Sequence, residues 1–91
     1  VRYQVGQEFK AHHDSAGGML NRLFTTLIYL NDDFKGGATE FPITEDVINP
    51  ATGKLVIWKN VTAKAISEKS LHTGLAVEQG VKYILVNWVL K

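Results

Sequence analysis

Hydrophobic and polar positions alternate with a period of two along most of this chain, and turn residues separate the alternating runs. A period of two puts successive side chains on opposite faces of an extended strand, so the pattern predicts a series of short strands. "VRYQVGQEFKAHHD" (1–14) reads as extended, with Gly6 as a bulge or a close backbone approach. "NRLFTTLIYLN" (21–31) is a strand rich in β-branched and aromatic residues. "DDFKGG" (32–37) is a turn, and "ATEFP" (38–42) is a short strand stopped by Pro42. "ITEDVINPATG" (43–53) reads as a polar loop punctuated by Asn49-Pro50 and Gly53. "KLVIWKN" (54–60) is a strand, and "VTAKAISEKS" (61–70) is a loop or a short helix. "LHTGLAV" (71–77) and "VKYILVNWVLK" (81–91) are strands joined by a turn at Glu78-Gln79-Gly80. Strands this short and this closely spaced predict an all-β antiparallel sandwich or open barrel, with no alternation of β and α units.

Three side chains that can bind a metal stand together in "AHHDSAGG": His12, His13 and Asp14. On a strand, His12 and Asp14 share one face and His13 points to the other, outside an interior metal site or at its rim. Two ligands are too few for a site, and the one other histidine in the chain is His72, in "SLHTG". Two histidines and a carboxylate make the facial triad of non-haem Fe(II) oxygenases, and zinc can use the same set. Lys82 adds a second signal. The alternation of "VKYILVNWVLK" places Lys82, Ile84, Val86, Trp88 and Leu90 on one face, which reads as buried. A buried ammonium needs a counter-charge. A dicarboxylate cosubstrate supplies one if one end chelates the metal and the other meets the lysine. His72 and Lys82 are expected on neighbouring strands across a turn.

Composition narrows the function classes. The 91 residues suit one small domain or part of a larger one, and they are 45% hydrophobic and 21% charged, a globular balance. A net charge of +1 gives no case for nucleic acid or an anionic membrane as a partner. There is no cysteine, hence no disulfide framework, thiolate zinc site or cysteine nucleophile. No apolar run approaches a membrane span and no signal peptide is visible, so the cytoplasm is weakly favoured. The first residue is Val1, which reads as a processed or truncated start. Asn60-Val61-Thr62 is a glycosylation sequon, meaningful only in a secretory context. Asp32-Asp33 reads as a solvated turn and the glycines at 17, 18, 36, 37 and 53 as turn residues. The sequence sets no oligomeric state.

Five segments in order resemble the catalytic core of the prolyl 4-hydroxylase family of Fe(II)/2-oxoglutarate-dependent dioxygenases. They are "YQVGQEFKAHHD", "RLFTTLIYLND", "GGATEFP", "PATGKLVIWKN" and "SLHTGLAVEQGVKYILVNW". The resemblance implies a double-stranded β-helix, or jelly-roll, core. It implies His12, Asp14 and His72 as iron ligands and Lys82 as the partner of the far carboxylate of 2-oxoglutarate. Tyr3, Tyr29 and Thr39 match cosubstrate-pocket positions. Trp88 matches a tryptophan near the metal, and Arg22 an arginine that holds the peptide substrate. The implied cofactors are Fe(II), 2-oxoglutarate and O₂, with ascorbate as reductant. The implied reaction hydroxylates proline in a protein or peptide and releases succinate and CO₂. Members of the family carry helices and supporting strands ahead of the first tyrosine, so residues 1–91 read as one catalytic core within a larger domain. Ala76 stands where relatives have proline, and the missing cysteines set the chain apart from the collagen-modifying branch. Rival readings are an oxygenase of this class acting on another residue or a small molecule, a cupin-like metal-binding domain without oxygenase activity, and a metal-free structural jelly roll.

Overall fold

The computed structural model describes residues 1–14, 22–62 and 66–90. The strands are β1 (Arg2–Tyr3), β2 (Phe9–His12), β3 (Arg22–Tyr29), β4 (Lys35–Gly36), β5 (Thr39–Phe41), β6 (Asp46–Ile48), β7 (Leu55–Lys59), β8 (His72–Gly74), β9 (Val77–Gln79) and β10 (Lys82–Leu90). One four-stranded sheet has the order β1-β10-β3-β7, a second has β2-β8-β5-β6, and β4 and β9 form a two-stranded ribbon. Every pairing is antiparallel. Two antiparallel sheets whose strands cross from one to the other, around a shared interior, are the architecture of a double-stranded β-helix.

The long strands form where the alternation is cleanest. In β3, Thr25, Leu27 and Tyr29 are buried between outward neighbours, and β10 continues this with Lys82 and Ile84. Thr25 lies opposite Trp88 and Leu27 opposite Val86, so the inward residues of the two strands form facing rows. Leu27, Tyr29 and Ile84 make the core, with Tyr3, Phe34, Ile48, Val56, Trp58 and Val86 packed around it.

Several sequence expectations change here. Segment 1–14 is broken: a turn at Val5-Gly6 separates β1 from β2, and Gly6 takes a left-handed φ of 84°. The segment 43–53 is not all loop, because Asp46–Ile48 pairs with β5 as an edge strand. The expected turn 32–37 contains β4, and "LHTGLAV" divides into β8 and β9. Trp88 and Leu90 do not share the burial of Lys82 and Ile84, being 40% and 57% exposed. There the pairing of β10 with β3 slips between Val89 and Leu90. His72 and Lys82 are not on neighbouring strands: β8 and β10 belong to the two different sheets. In 61–70 a bridge joins Val61 to Ile66, and a 3₁₀ turn spans Glu68–Ser70. Gly17 and Gly18 lie outside the described residues.

Candidate metal and cosubstrate site

A cavity of about 420 Å³ opens between the two sheets. His12, Asp14 and His72 stand on one wall. His12 ends β2, His72 begins β8, and the two are direct cross-strand partners, which puts their side chains on one face. Asp14 lies two residues past His12 in the turn that follows β2, and not on the strand itself. It still reaches the pair. Its Oδ1 is 3.2 Å from His12 Nε2 and 3.5 Å from His72 Nε2. Among the described residues these three offer ligand atoms that all lie within 4.8 Å of one another.

The far side of each ring fixes what the near side presents. His12 Nδ1 is 2.7 Å from the Lys10 carbonyl, and His72 Nδ1 is 2.7 Å from the Ser70 carbonyl. A carbonyl only accepts, so each Nδ1 carries a hydrogen; with the rings neutral, each Nε2 turns a lone pair toward Asp14. Two lone pairs and a carboxylate oxygen this close repel one another unless a positive charge sits among them. The donor set therefore fits a cation, and two nitrogens with one oxygen suit Fe(II) or Zn²⁺.

Asp14 is itself restrained. Its Oδ2 accepts from Thr25 Oγ1 and, at 3.4 Å, from Trp88 Nε1. Burial would raise the Asp14 carboxyl, but a His72 ring that is protonated and donates to it, together with the Thr25 hydroxyl, outweighs that and holds it well below the usual carboxylate range. Thr25 in turn accepts from Asn60 Nδ2 at 2.7 Å, and both residues are fully buried. Neither carries a role in the sequence reading. The signal was present for Thr25, a polar residue in the inward row with Leu27 and Tyr29. Asn60 is also the sequon residue, and its complete burial removes it as a glycosylation acceptor.

Lys82 projects into the cavity from the opposite sheet. It is 2% exposed, donates to the Gly37 carbonyl at 2.9 Å and lies 4.6 Å above the Tyr3 ring. Among the described residues no carboxylate comes within ion-pair distance of it. Burial alone lowers its pKa to about 8. Tyr3 and Thr39 line the cavity, but Tyr29 does not. Tyr29 sits behind Thr39, with its hydroxyl 2.7 Å from Thr39 Oγ1, and burial raises its pKa, as it does that of Tyr3. At the mouth, the Arg22 guanidinium lies 3.9 Å from the centre of the Trp88 ring. His13, expected to point away, also lines the cavity, its Nδ1 held 3.0 Å from Ser70 Oγ.

Residues 1–90 match the 2OG-Fe(II) oxygenase superfamily. A protein of Acanthamoeba polyphaga mimivirus assigned as a prolyl 4-hydroxylase is 33% identical over 97% of this chain and 42% of its own. Prolyl 4-hydroxylase 1 of Arabidopsis thaliana is 29% identical over 98% of this chain and 38% of its own. The chain thus spans less than half the length of these relatives. The crystal structure of a viral collagen prolyl hydroxylase from Paramecium bursaria Chlorella virus 1, in complex with 2OG, superposes with a TM-score of 0.84. It is 29% identical, over 96% of this chain and 54% of that one. By sequence and by fold together, this chain belongs to the 2OG-Fe(II) oxygenase superfamily.

Proposed function

We propose that this chain is the catalytic core of an Fe(II)- and 2-oxoglutarate-dependent dioxygenase that hydroxylates prolyl residues in a protein or peptide. One observation carries the reading: a three-donor cluster on one wall of the cavity faces, on the other, a buried lysine with no carboxylate in ion-pair range among the described residues. A simple metal binder has no use for that lysine. A five-carbon keto diacid uses both walls at once.

His12, Asp14 and His72 hold the metal from one side and leave its cavity side open. Fe(II), 2-oxoglutarate and O₂, when bound, would supply the oxidising chemistry: one oxygen atom of O₂ goes into succinate as the keto acid loses CO₂, and the other becomes the hydroxyl on an unactivated carbon. Lys82 takes the far carboxylate and, with it, gains the counter-charge it lacks. Tyr3 covers the lysine and Thr39 lines the same end, steadied from behind by Tyr29. The apolar walls, Leu27, Ile84 and Val86 among them, keep bulk water from this end of the cavity. Arg22 and Trp88, stacked at the mouth, hold the peptide so that the proline ring reaches the open side of the metal. Ascorbate serves as the reductant that keeps the iron ferrous.

The test is an anaerobic titration of the chain with Fe(II) and 2-oxoglutarate, watched for a metal-to-ligand charge-transfer band. A band that needs both components supports keto acid chelation at an open ferrous site. Proline-rich and collagen-like peptides are then offered, and mass spectrometry looks for one added oxygen per modified proline. A folded chain that gives no band with both components present sinks the reading.

A further inference from the structure

We infer that Thr25 and Asn60 form a two-step relay that aims Asp14, so that one carboxylate oxygen is committed to the protein and the other to the metal. The inference rests on the metal-site reading above and extends it to two residues outside the ligand set.

The relay runs from the buried end of β7 to the cavity wall. Asn60 follows directly after β7, fully buried, with its backbone N–H tied to the Leu23 carbonyl at 2.8 Å. Its own carbonyl accepts from Ser67 N–H at 2.9 Å, so the residue is pinned on both sides. From this fixed place Nδ2 donates to Thr25 Oγ1 at 2.7 Å. Thr25 has one hydroxyl hydrogen. Because Asn60 occupies a lone pair of that oxygen, the hydrogen is free to go to Asp14 Oδ2, which accepts it. The direction of the chain is therefore set: amide to hydroxyl, hydroxyl to carboxylate.

The consequence falls on Asp14. It stands in a turn beyond the end of β2, where no strand ladder holds it. A free carboxylate there can rotate and offer both oxygens to an ion. With Oδ2 occupied by Thr25, only Oδ1 faces the two histidine Nε2 atoms. One-oxygen ligation leaves more of the metal open to a chelating cosubstrate. Groups that orient a ligand in this way support metal affinity even though they never touch the ion.

Co(II) is the probe, because its visible ligand-field bands report coordination without any turnover. Thr25→Val keeps the shape and removes the hydroxyl. It is expected to weaken Co(II) binding by about 10–100-fold and to shift the bands as Oδ2, left with only the long 3.4 Å contact from Trp88 Nε1, turns to the metal. Thr25→Ser restores both. Asn60→Leu acts only through Thr25, so it weakens binding in the same direction, and the double variant binds no worse than Thr25→Val alone. Metal-free melting curves establish that each variant is folded, and Asn60→Leu decides alone if Thr25→Val does not fold. Parental affinity and bands in a folded Thr25→Val, failure of Thr25→Ser to rescue, or fully additive losses would each overturn the relay. His72→Ala separates the underlying reading: if that variant binds Co(II) like the parent, the metal site itself is wrong.

Discussion

Lys82 shows how much one residue can determine. Its ammonium is buried beside a carbonyl and an aromatic face, with no acid in ion-pair range among the described residues. On the proposed reading, removing it costs the far carboxylate of 2-oxoglutarate its partner. Lys82→Ala is expected to weaken 2-oxoglutarate binding by about 30-fold or more while Fe(II) still binds, as calorimetry with each component will show. The pH dependence has a definite sign. Burial brings the Lys82 pKa from 10.5 down to about 8, so in the ligand-free protein the charge is lost as pH rises through 8. Affinity for 2-oxoglutarate is therefore flat below pH 8 and falls roughly tenfold per pH unit well above it, which titrations across pH 7 to about 10 will read. The ligand-free fold behaves oppositely. A lysine whose folded pKa is depressed destabilises the protein while charged, so stability contributed at this residue rises between pH 8 and 10.5. That His12, Asp14 and His72 lie together and that Lys82 is buried was legible in the sequence through residue chemistry and strand alternation, although Asp14 reaches the pair from a turn and not from the strand. Thr25 left only the signal of a polar residue in an inward row and Asn60 none, because a threonine within β3 and an asparagine just after β7 have ordinary structural uses.

At the scale of the element, legibility followed length. β3 and β10, with eight and nine residues, show enough periods of alternation to be read directly. β4, β6 and β9 have two or three residues each, too few to display a period, and their pairing partners, not their sequences, make them strands. The β4–β9 ribbon shows what such short pairings demand. Gly36 has a left-handed φ of 75°, and a side chain there would run into the backbone of Ala76 and Glu78. Gly53 has a similar φ of 81° but open space around it. Gly53→Ala is expected to lose only the backbone preference, about 1–2 kcal/mol. Gly36→Ala loses that and the close approach as well. Urea unfolding should rank the two in that order, and equal midpoints would mean that the ribbon yields without cost. Gly37 adds a link to function: a Cβ there would lie 3.0 Å from Lys82 Cδ. Gly37→Ala should therefore weaken 2-oxoglutarate binding as well as stability.

Taken whole, the molecule has one apolar interior and one apolar exterior. The outward face of the β1-β10-β3-β7 sheet carries Phe24, Leu55, Ile57, Leu85 and Val89, each between 37% and 58% exposed. Five large apolar side chains exposed on one sheet face, interrupted only by Thr26, Asn87 and Lys59, favour association of that face. Residues 1–91 on their own should self-associate as concentration rises, and Ile57→Lys with Leu85→Glu should suppress this in sedimentation experiments without altering cosubstrate binding. The metal cluster has a different consequence for the whole. His12 and His72 face each other across β2 and β8, yet they come from opposite ends of the chain. An ion shared between them is a cross-link, closing a loop that spans most of the polypeptide in a protein with no cysteine to do so. Metal loading should then slow amide exchange in β2 and β8 together, two strands that chain connectivity leaves independent.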